Sequence, residues 1–124
     1  MAEKSVFLKV EGDNPKNRIW DFLIVHSEFD YSMKEIAKYS KVSYTTLKRL
    51  WKDFRKKKIV IETRIIGKAK MYKLNLGNRV VEKFIDFFWE VIDNELGINE
   101  KNKVKNEHIS SGPVGVGSIS ARNV

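Results

Sequence analysis

Residues 33–50 read MKEIAKYSKVSYTTLKRL and hold two short amphipathic stretches joined by a tight connection. Ser32 stands three residues before Glu35, which is the spacing of a capping box at the start of a helix. The apolar residues then recur at helical rather than alternating intervals. The stretch therefore predicts a helix of about two turns that begins at Met33, followed after a short turn by a second helix over residues 43–57.

The second of these helices has two chemically different faces. One face is apolar and suited to a core. It consists of Leu47, Leu50, Trp51 and Phe54. The opposite face and the first turn carry side chains that can hydrogen-bond to bases or phosphates. They are Ser43, Tyr44, Thr45, Lys48, Arg49 and Lys52. Such a helix can lie in the major groove of DNA, where we expect Arg49 to make a bidentate contact with guanine.

After this helix the periodicity changes from helical to alternating. Ile59, Ile61, Thr63 and Ile65 are predicted to face one way and their neighbours the other. Gly67 supplies a turn, and alternation resumes as far as Leu76. We therefore predict a two-stranded hairpin over residues 59–76. Its basic side chains are expected along the DNA backbone or in the adjacent minor groove. They are Arg64, Lys68 and Lys70.

The N-terminal part carries one clear helix signal. Asn14 precedes Pro15, the arrangement of an N-cap followed by proline in the first turn. A helix is predicted from there to about Ser27. Residues 1–13 are interpreted as a short extended arm that packs on the domain or on a partner subunit.

A long helix is predicted from Asn78 to Gly97, with an apolar arc wider than a small domain usually covers. We expect it to pair two subunits in a homodimer. The expected interface residues are Phe84, Phe87, Phe88, Val91 and Ile92. Alternatively, the extra aromatic residues close over the N-terminal arm of the same chain. The folded domain is thus placed at residues 14–97, and the polar, glycine-rich residues 98–124 are predicted to be a disordered tail.

Residues 33–50 closely resemble the helix-turn-helix of prokaryotic, and especially archaeal, regulators of the ArsR/MarR type. Ala37 stands where such motifs need a small residue, and Val42 is the apolar residue after the turn. Leu47 and Leu50 anchor the second helix. One departure is Lys41, where these motifs usually carry glycine in a left-handed conformation.

This resemblance covers residues 15–96. It implies a mainly α fold with a small β-hairpin, an α+β winged helix-turn-helix, with a long C-terminal dimerisation helix. In this fold the helix over 43–57 is the recognition helix and the hairpin over 59–76 is the wing. The cysteine ligands of metal-responsive members are absent, so the resemblance leaves open whether the protein has an effector.

Charge is concentrated where the resemblance places the DNA. Residues 33–73 contain 14 Lys or Arg against 3 acidic residues, which leaves +11, whereas the rest of the chain nets −3. This polarity indicates a polyanionic partner for one surface. We expect Ser32 and Lys34, at the start of the first motif helix, to contribute to phosphate binding together with the helix-terminal N–H groups.

Several other classes of protein are disfavoured. The chain has no cysteine and only two histidines, so no nucleophilic, acid–base or metal-ligand constellation is visible. We therefore predict no enzyme, no metal and no cofactor. The longest apolar run, Phe22 to Val25, is far below the roughly 20 residues of a membrane span, and no secretory signal is recognisable. A cytoplasmic, nucleoid-associated protein is expected.

The sequence thus predicts a sequence-specific regulator of transcription that binds double-stranded DNA as a homodimer. Two alternatives stay open. One is an architectural protein that uses the same charge without discriminating between bases. The other is a winged helix used as a protein-interaction module in a transcription or replication assembly, although such modules often lose the basic face that this chain keeps.

Overall fold

The computed structural model of the chain describes residues 5–97. The elements, in chain order, are α1 (Val6–Glu11), α2 (Pro15–Val25), β1 (Tyr31–Ser32), α3 (Met33–Ser40), α4 (Tyr44–Lys56), β2 (Val60–Ile66), β3 (Ala69–Leu74) and α5 (Arg79–Leu96). The predicted class, mainly helical with a small antiparallel sheet, is confirmed.

The chain divides into two compact units, Met1–Phe88 and Trp89–Val124. Within the described residues the second unit consists of the C-terminal part of α5 and Gly97. Helix α5 ends at Leu96, and Gly97 follows it with a φ of 74°. The predicted disordered tail, residues 98–124, lies outside the described residues.

Helices α3 and α4 have the caps that the sequence predicts. The Glu35 amide donates to Ser32 Oγ at 3.2 Å, and the Ser32 amide donates to Glu35 Oε1 at 2.9 Å, which completes the capping box. The Thr46 amide donates to Ser43 Oγ at 3.1 Å at the start of α4. Side-chain caps therefore fix where both helices begin.

The turn between α3 and α4 passes through a left-handed residue. Lys41 has a φ of 61° and a ψ of 44°, and the Val42 amide donates to the Ala37 carbonyl at 3.0 Å to close α3. Arg18 of α2 donates from Nη1 to the Lys41 carbonyl at 2.9 Å and is itself paired with Asp13. A contact from another helix thus supports a turn that lacks the usual glycine.

Replacing Lys41 by glycine is expected to stabilise the fold by about 0.5 to 1 kcal/mol, because glycine has no β-carbon to resist the left-handed conformation. Urea unfolding measures the change. Lys41→Ala is the matched control and should bring no such gain, since alanine keeps the β-carbon. A glycine variant less stable than the parent would contradict this account of the turn.

The core lies where α2, α3 and α4 meet the sheet and the first half of α5. Ile19, Ile36 and Leu47 have no exposed surface. The Trp20 ring stacks on Phe84 with centroids 3.9 Å apart. Because the apolar stripe of α4 is buried in this core, its opposite face must point outward.

The N-terminal arm is helical, and the expected extended conformation was wrong. Helix α1 is capped by the Ser5 hydroxyl, which accepts from the Leu8 amide at 3.2 Å. Phe7 is only 1% exposed and packs on the aromatic side chains of α5. A helix of this length is marginal in isolation, so tertiary packing on α5 decides its conformation.

This packing also changes the expected subunit interface. Phe88 is completely buried within its own chain, with its ring centroid 4.7 Å from that of Phe7. Phe84 is half-buried between Phe7 and Trp20. Phe87 stays 46% exposed, and Val91 and Ile92 are half-buried. Phe88 is therefore a core residue. This agrees with the alternative interpretation of the sequence, in which the extra aromatic residues of the last helix pack on the N-terminal arm of the same chain.

The sheet has three strands in the order β1-β3-β2, one more than the predicted hairpin. The extra strand pairs Tyr31 with Tyr72 and is too short to show any periodicity. A bulge at Thr63 shifts the register between β2 and β3. Ile65 consequently lies on the same face as Glu62, not on that of Ile61, which corrects the predicted alternation.

Candidate nucleic-acid interface

Helix α4 presents a polar face to solvent. Thr45, Lys48, Arg49 and Lys52 are all exposed along it. Tyr44 is 39% exposed at the first turn, and Lys48 Nζ lies 5.0 Å from the centre of its ring. This cation–π contact holds one charge beside an aromatic surface. The face therefore combines charge, hydroxyl groups and an aromatic ring on one rigid element.

Two of the residues predicted to contact DNA, Ser43 and Ser32, use their side-chain hydroxyl groups to cap helices. The Ser43 hydroxyl accepts from the Thr46 amide and donates to Thr46 Oγ1 at 2.9 Å. The Ser32 hydroxyl accepts from the Glu35 amide. Both serines thus hold helix starts in position, and Lys34 is the exposed side chain in the first turn of α3.

A cleft of about 460 Å³ separates the starts of α3 and α4 from the wing. Its walls carry one lysine from α3 and two from the wing, together with two tyrosines and several apolar side chains. The lining residues are Ser32, Met33, Lys34, Tyr44, Ile66, Lys68, Ala69, Lys70 and Tyr72. The fold thus brings Lys34, which the sequence predicts at the start of a helix, beside Lys68 and Lys70, which it predicts on the wing. Three ammonium groups around one open cleft favour a phosphate-bearing chain.

Arg64 is placed differently from the other wing residues. Its Nε and Nη2 donate to the two carboxylate oxygens of Asp30 at 2.9 and 3.0 Å, and the Thr63 hydroxyl also donates to Asp30. We call this group the wing lock (Asp30, Thr63 and Arg64). In the unbound protein Arg64 therefore makes a structural contact, because a carboxylate already compensates its guanidinium charge. Its contact with DNA stays a prediction.

The wing lock predicts a specific pH dependence. Hydrogen bonds from Arg64, and then from Thr63, lower the pKa of Asp30 to about 2. A carboxyl group whose pKa is lower when folded stabilises the fold fully above its unfolded pKa of about 4. That stabilisation is expected to decline as the pH falls from about 4 and to be lost below about 2.

Carbon-detected NMR titration of the Asp30 carboxyl group measures this directly. Asp30→Asn removes the titrating group and should flatten the corresponding part of the pH-stability profile. A midpoint for Asp30 near the ordinary value of about 4 would show that the lock does not form in solution.

Sequence reasoning missed three residues that support this surface. Arg18 contacts the carbonyl of a residue 23 positions away, and Asp30 accepts hydrogen bonds from Thr63 and Arg64, which lie 33 and 34 positions away. No local pattern encodes such pairs. The one available signal was Lys41, which stands at a turn position where glycine is usual. A residue that is atypical for its turn suggests that a contact from another part of the chain stabilises the turn.

Two other kinds of feature are absent from residues 5–97. No group of three or more side chains in this range could hold a metal ion. None of the helices in this range is long and apolar enough to cross a membrane.

No family model matches the chain, and no curated protein sequence matches it. Solved structures do match. MepR, a transcription regulator of the Staphylococcus aureus multidrug efflux pump MepA, is 19% identical, with 76% of this chain and 73% of that chain covered at a TM-score of 0.53. ZitR of Lactococcus lactis, a mutant in apo form, is 15% identical, with 78% and 80% covered at 0.53. The adhesin competence repressor AdcR of Streptococcus pyogenes is 16% identical, with 81% and 74% covered at 0.53.

These proteins are winged-helix regulators of the MarR type. The chain has a winged helix-turn-helix fold. Helices α3 and α4 form its helix-turn-helix, and β2 and β3 form its wing. At these identities the likeness concerns the fold alone. The matched regulators are not enzymes, in line with the expectation that this chain catalyses no reaction. They are bacterial, so they give no support to the archaeal leaning of the sequence resemblance.

Proposed function

We propose that this chain is a sequence-specific transcription regulator that binds double-stranded DNA, with α4 in the major groove and the wing on the backbone or in the adjacent minor groove. The observation that carries the proposal is the exposed polar face of α4 beside a lysine-lined cleft. A MepR mutant of the same fold, 18% identical with a TM-score of 0.51, is bound to an oligodeoxyribonucleotide.

The exposed residues of α4 suit different parts of the DNA. Arg49 has the planar donor pair that matches the O6 and N7 acceptors of guanine. Tyr44 and Thr45, in the first turn, are expected to contact thymine methyl groups or phosphates. Lys48 and Lys52 follow on the same exposed face and add charge. Direct base reading thus rests on the first two turns of the helix.

The cleft suits the sugar-phosphate backbone. Lys34 lies on its α3 side, and Lys68 and Lys70 lie on its wing side. A strand that crosses the cleft would meet positive charge from both walls. Such contacts position the protein on the duplex without reading its sequence.

We further propose that the active form is a homodimer. Helix α5 leaves large apolar side chains exposed, a pattern that marks interaction surfaces in soluble proteins. They are Val80, Phe87, Trp89 and Leu96, each at least 46% exposed. A symmetric pair would place two recognition helices in successive major grooves, about 34 Å apart.

The proposal is tested by selecting duplexes from a random pool and measuring fluorescence anisotropy with the selected and shuffled sequences at several salt concentrations. Specific regulation predicts a preference of about 10³ or more for the selected sequence, with log affinity falling linearly against log salt. Equal affinity for both sequences would contradict specific regulation and support an architectural protein that binds DNA without discriminating between bases. No binding at low salt would overturn the DNA-binding proposal.

A further inference from the structure

The tip of the wing exposes two large apolar side chains. Ile65 is 59% exposed and Ile66 is 50% exposed. Every residue from Ile61 to Lys70 is exposed, and buried positions resume only at Met71. The tip therefore projects away from the core, and packing within residues 5–97 does not account for either isoleucine.

The two isoleucines lie on opposite faces of the ribbon. Ile65 pairs with Lys70 and Ile66 pairs with Ala69, and successive residues of a strand point to opposite sides. Gly67 closes the turn with a φ of 62°, and a β-carbon added to it would meet no heavy atom within 4 Å. Each face of the wing end thus carries one isoleucine, beside Lys70 on one face and Ala69 on the other, and the space around Gly67 is open.

Positive charge surrounds this apolar tip. Lys68 stands in the turn itself, and Ile66 lines the same cleft as Lys34 and Lys70. A partner that matches the tip needs an apolar centre between negatively charged walls. The minor groove of DNA has this arrangement, because its phosphates flank sugar edges and stacked bases. A second copy of the same tip would instead bring lysines against lysines.

We propose that Ile65 and Ile66 form an apolar wedge that enters the minor groove, partly unstacks a base step and bends the duplex. The inference rests on the proposed DNA binding and adds a mechanism to it. Apolar wedges of this kind kink DNA by about 20–90°. Pyrimidine–purine steps such as TA deform most easily, so the wedge adds a preference for such a step next to the sequence read by α4.

The test uses the full-length chain and selected duplexes of about 30 base pairs that carry a fluorescence donor and acceptor at their ends. Anisotropy gives the affinity and energy transfer gives the bend. The test variant is Ile65→Ala/Ile66→Ala. The matched control is Ile61→Ala, because Ile61 is 41% exposed on the same strand but at the base of the wing. Circular dichroism checks that each variant is folded.

The parent protein is expected to bend the duplex by at least about 20°. The double variant should lose most of the bend and about tenfold or more in affinity, and Ile61→Ala should lose neither. Tight binding to a straight duplex would overturn the wedge and leave the proposed function intact. An equal bend with the double variant would also overturn it. If the parent protein self-associated without DNA and the double variant did not, the tip would be a protein contact and the wedge proposal would be wrong. Absence of any DNA binding would overturn both proposals.

Discussion

Replacing Arg49 by alanine is expected to weaken binding to the selected duplex by about 10- to 100-fold and to relax the preference at one base pair. Arg49 is exposed in the middle of α4, on the face opposite the buried Leu47 and Trp51. A bidentate contact to guanine depends on the planar guanidinium group, so Arg49→Lys should recover only part of the loss. Anisotropy with the selected duplex and its single-base variants measures both effects.

Two comparisons separate base reading from general charge. Lys52→Ala removes a charge from the same face and should weaken binding to all sequences alike, with a shallower salt dependence. Lys83→Ala removes an equal charge from exposed α5 and should have little effect. If Arg49→Ala weakened all duplexes equally, Arg49 would be a phosphate contact and the assignment of base reading to it would be wrong.

Replacing Phe7 by alanine is expected to cost about 3–5 kcal/mol of unfolding free energy, the usual range for a buried aromatic residue. Phe7 is 1% exposed, and its ring contacts those of Phe84, Phe87 and Phe88. Removing it leaves a cavity beneath α1 and uncovers part of α5. Because a domain of this size has a total stability of about 5–15 kcal/mol, urea unfolding should show a large shift.

The matched control for Phe7 is Val10→Ala on the same short helix. Val10 is 44% exposed, so its truncation should change the stability by less than about 0.5 kcal/mol. A loss below about 1 kcal/mol for Phe7→Ala would mean that α1 does not pack on α5 in solution. The aromatic residues of α5 would then be open to a second subunit.

The helix-turn-helix could be predicted from the sequence because local chemistry determines it. Ser32 with Glu35, and Asn14 with Pro15, are capping signals whose partners lie at most three positions apart in the sequence. They place the starts of α3 and α2 correctly. Similarly, the exposed face of α4 follows from the spacing of its buried residues, so its solvent-facing side chains can be identified from the sequence alone.

The remaining features depend on contacts between distant parts of the chain. Residues Val6–Glu11 become helical because Phe7 finds aromatic partners some 80 positions away. Strand β1 exists because Tyr31 pairs with Tyr72. The same holds for Arg64, whose partner Asp30 lies across the sheet. Periodicity and capping describe neighbours in sequence and carry no information about such pairs.

The most direct test of the recognition-helix assignment exploits the absence of cysteine from the chain. Thr45→Cys provides a single attachment point, at an exposed position in the first turn of α4, for a reagent that cleaves nearby DNA. With the selected duplex, we expect cleavage confined to the major groove at two sites about one helical turn apart. Cleavage spread evenly along the duplex, or none while the labelled protein still binds, would contradict the placement of α4 in the major groove.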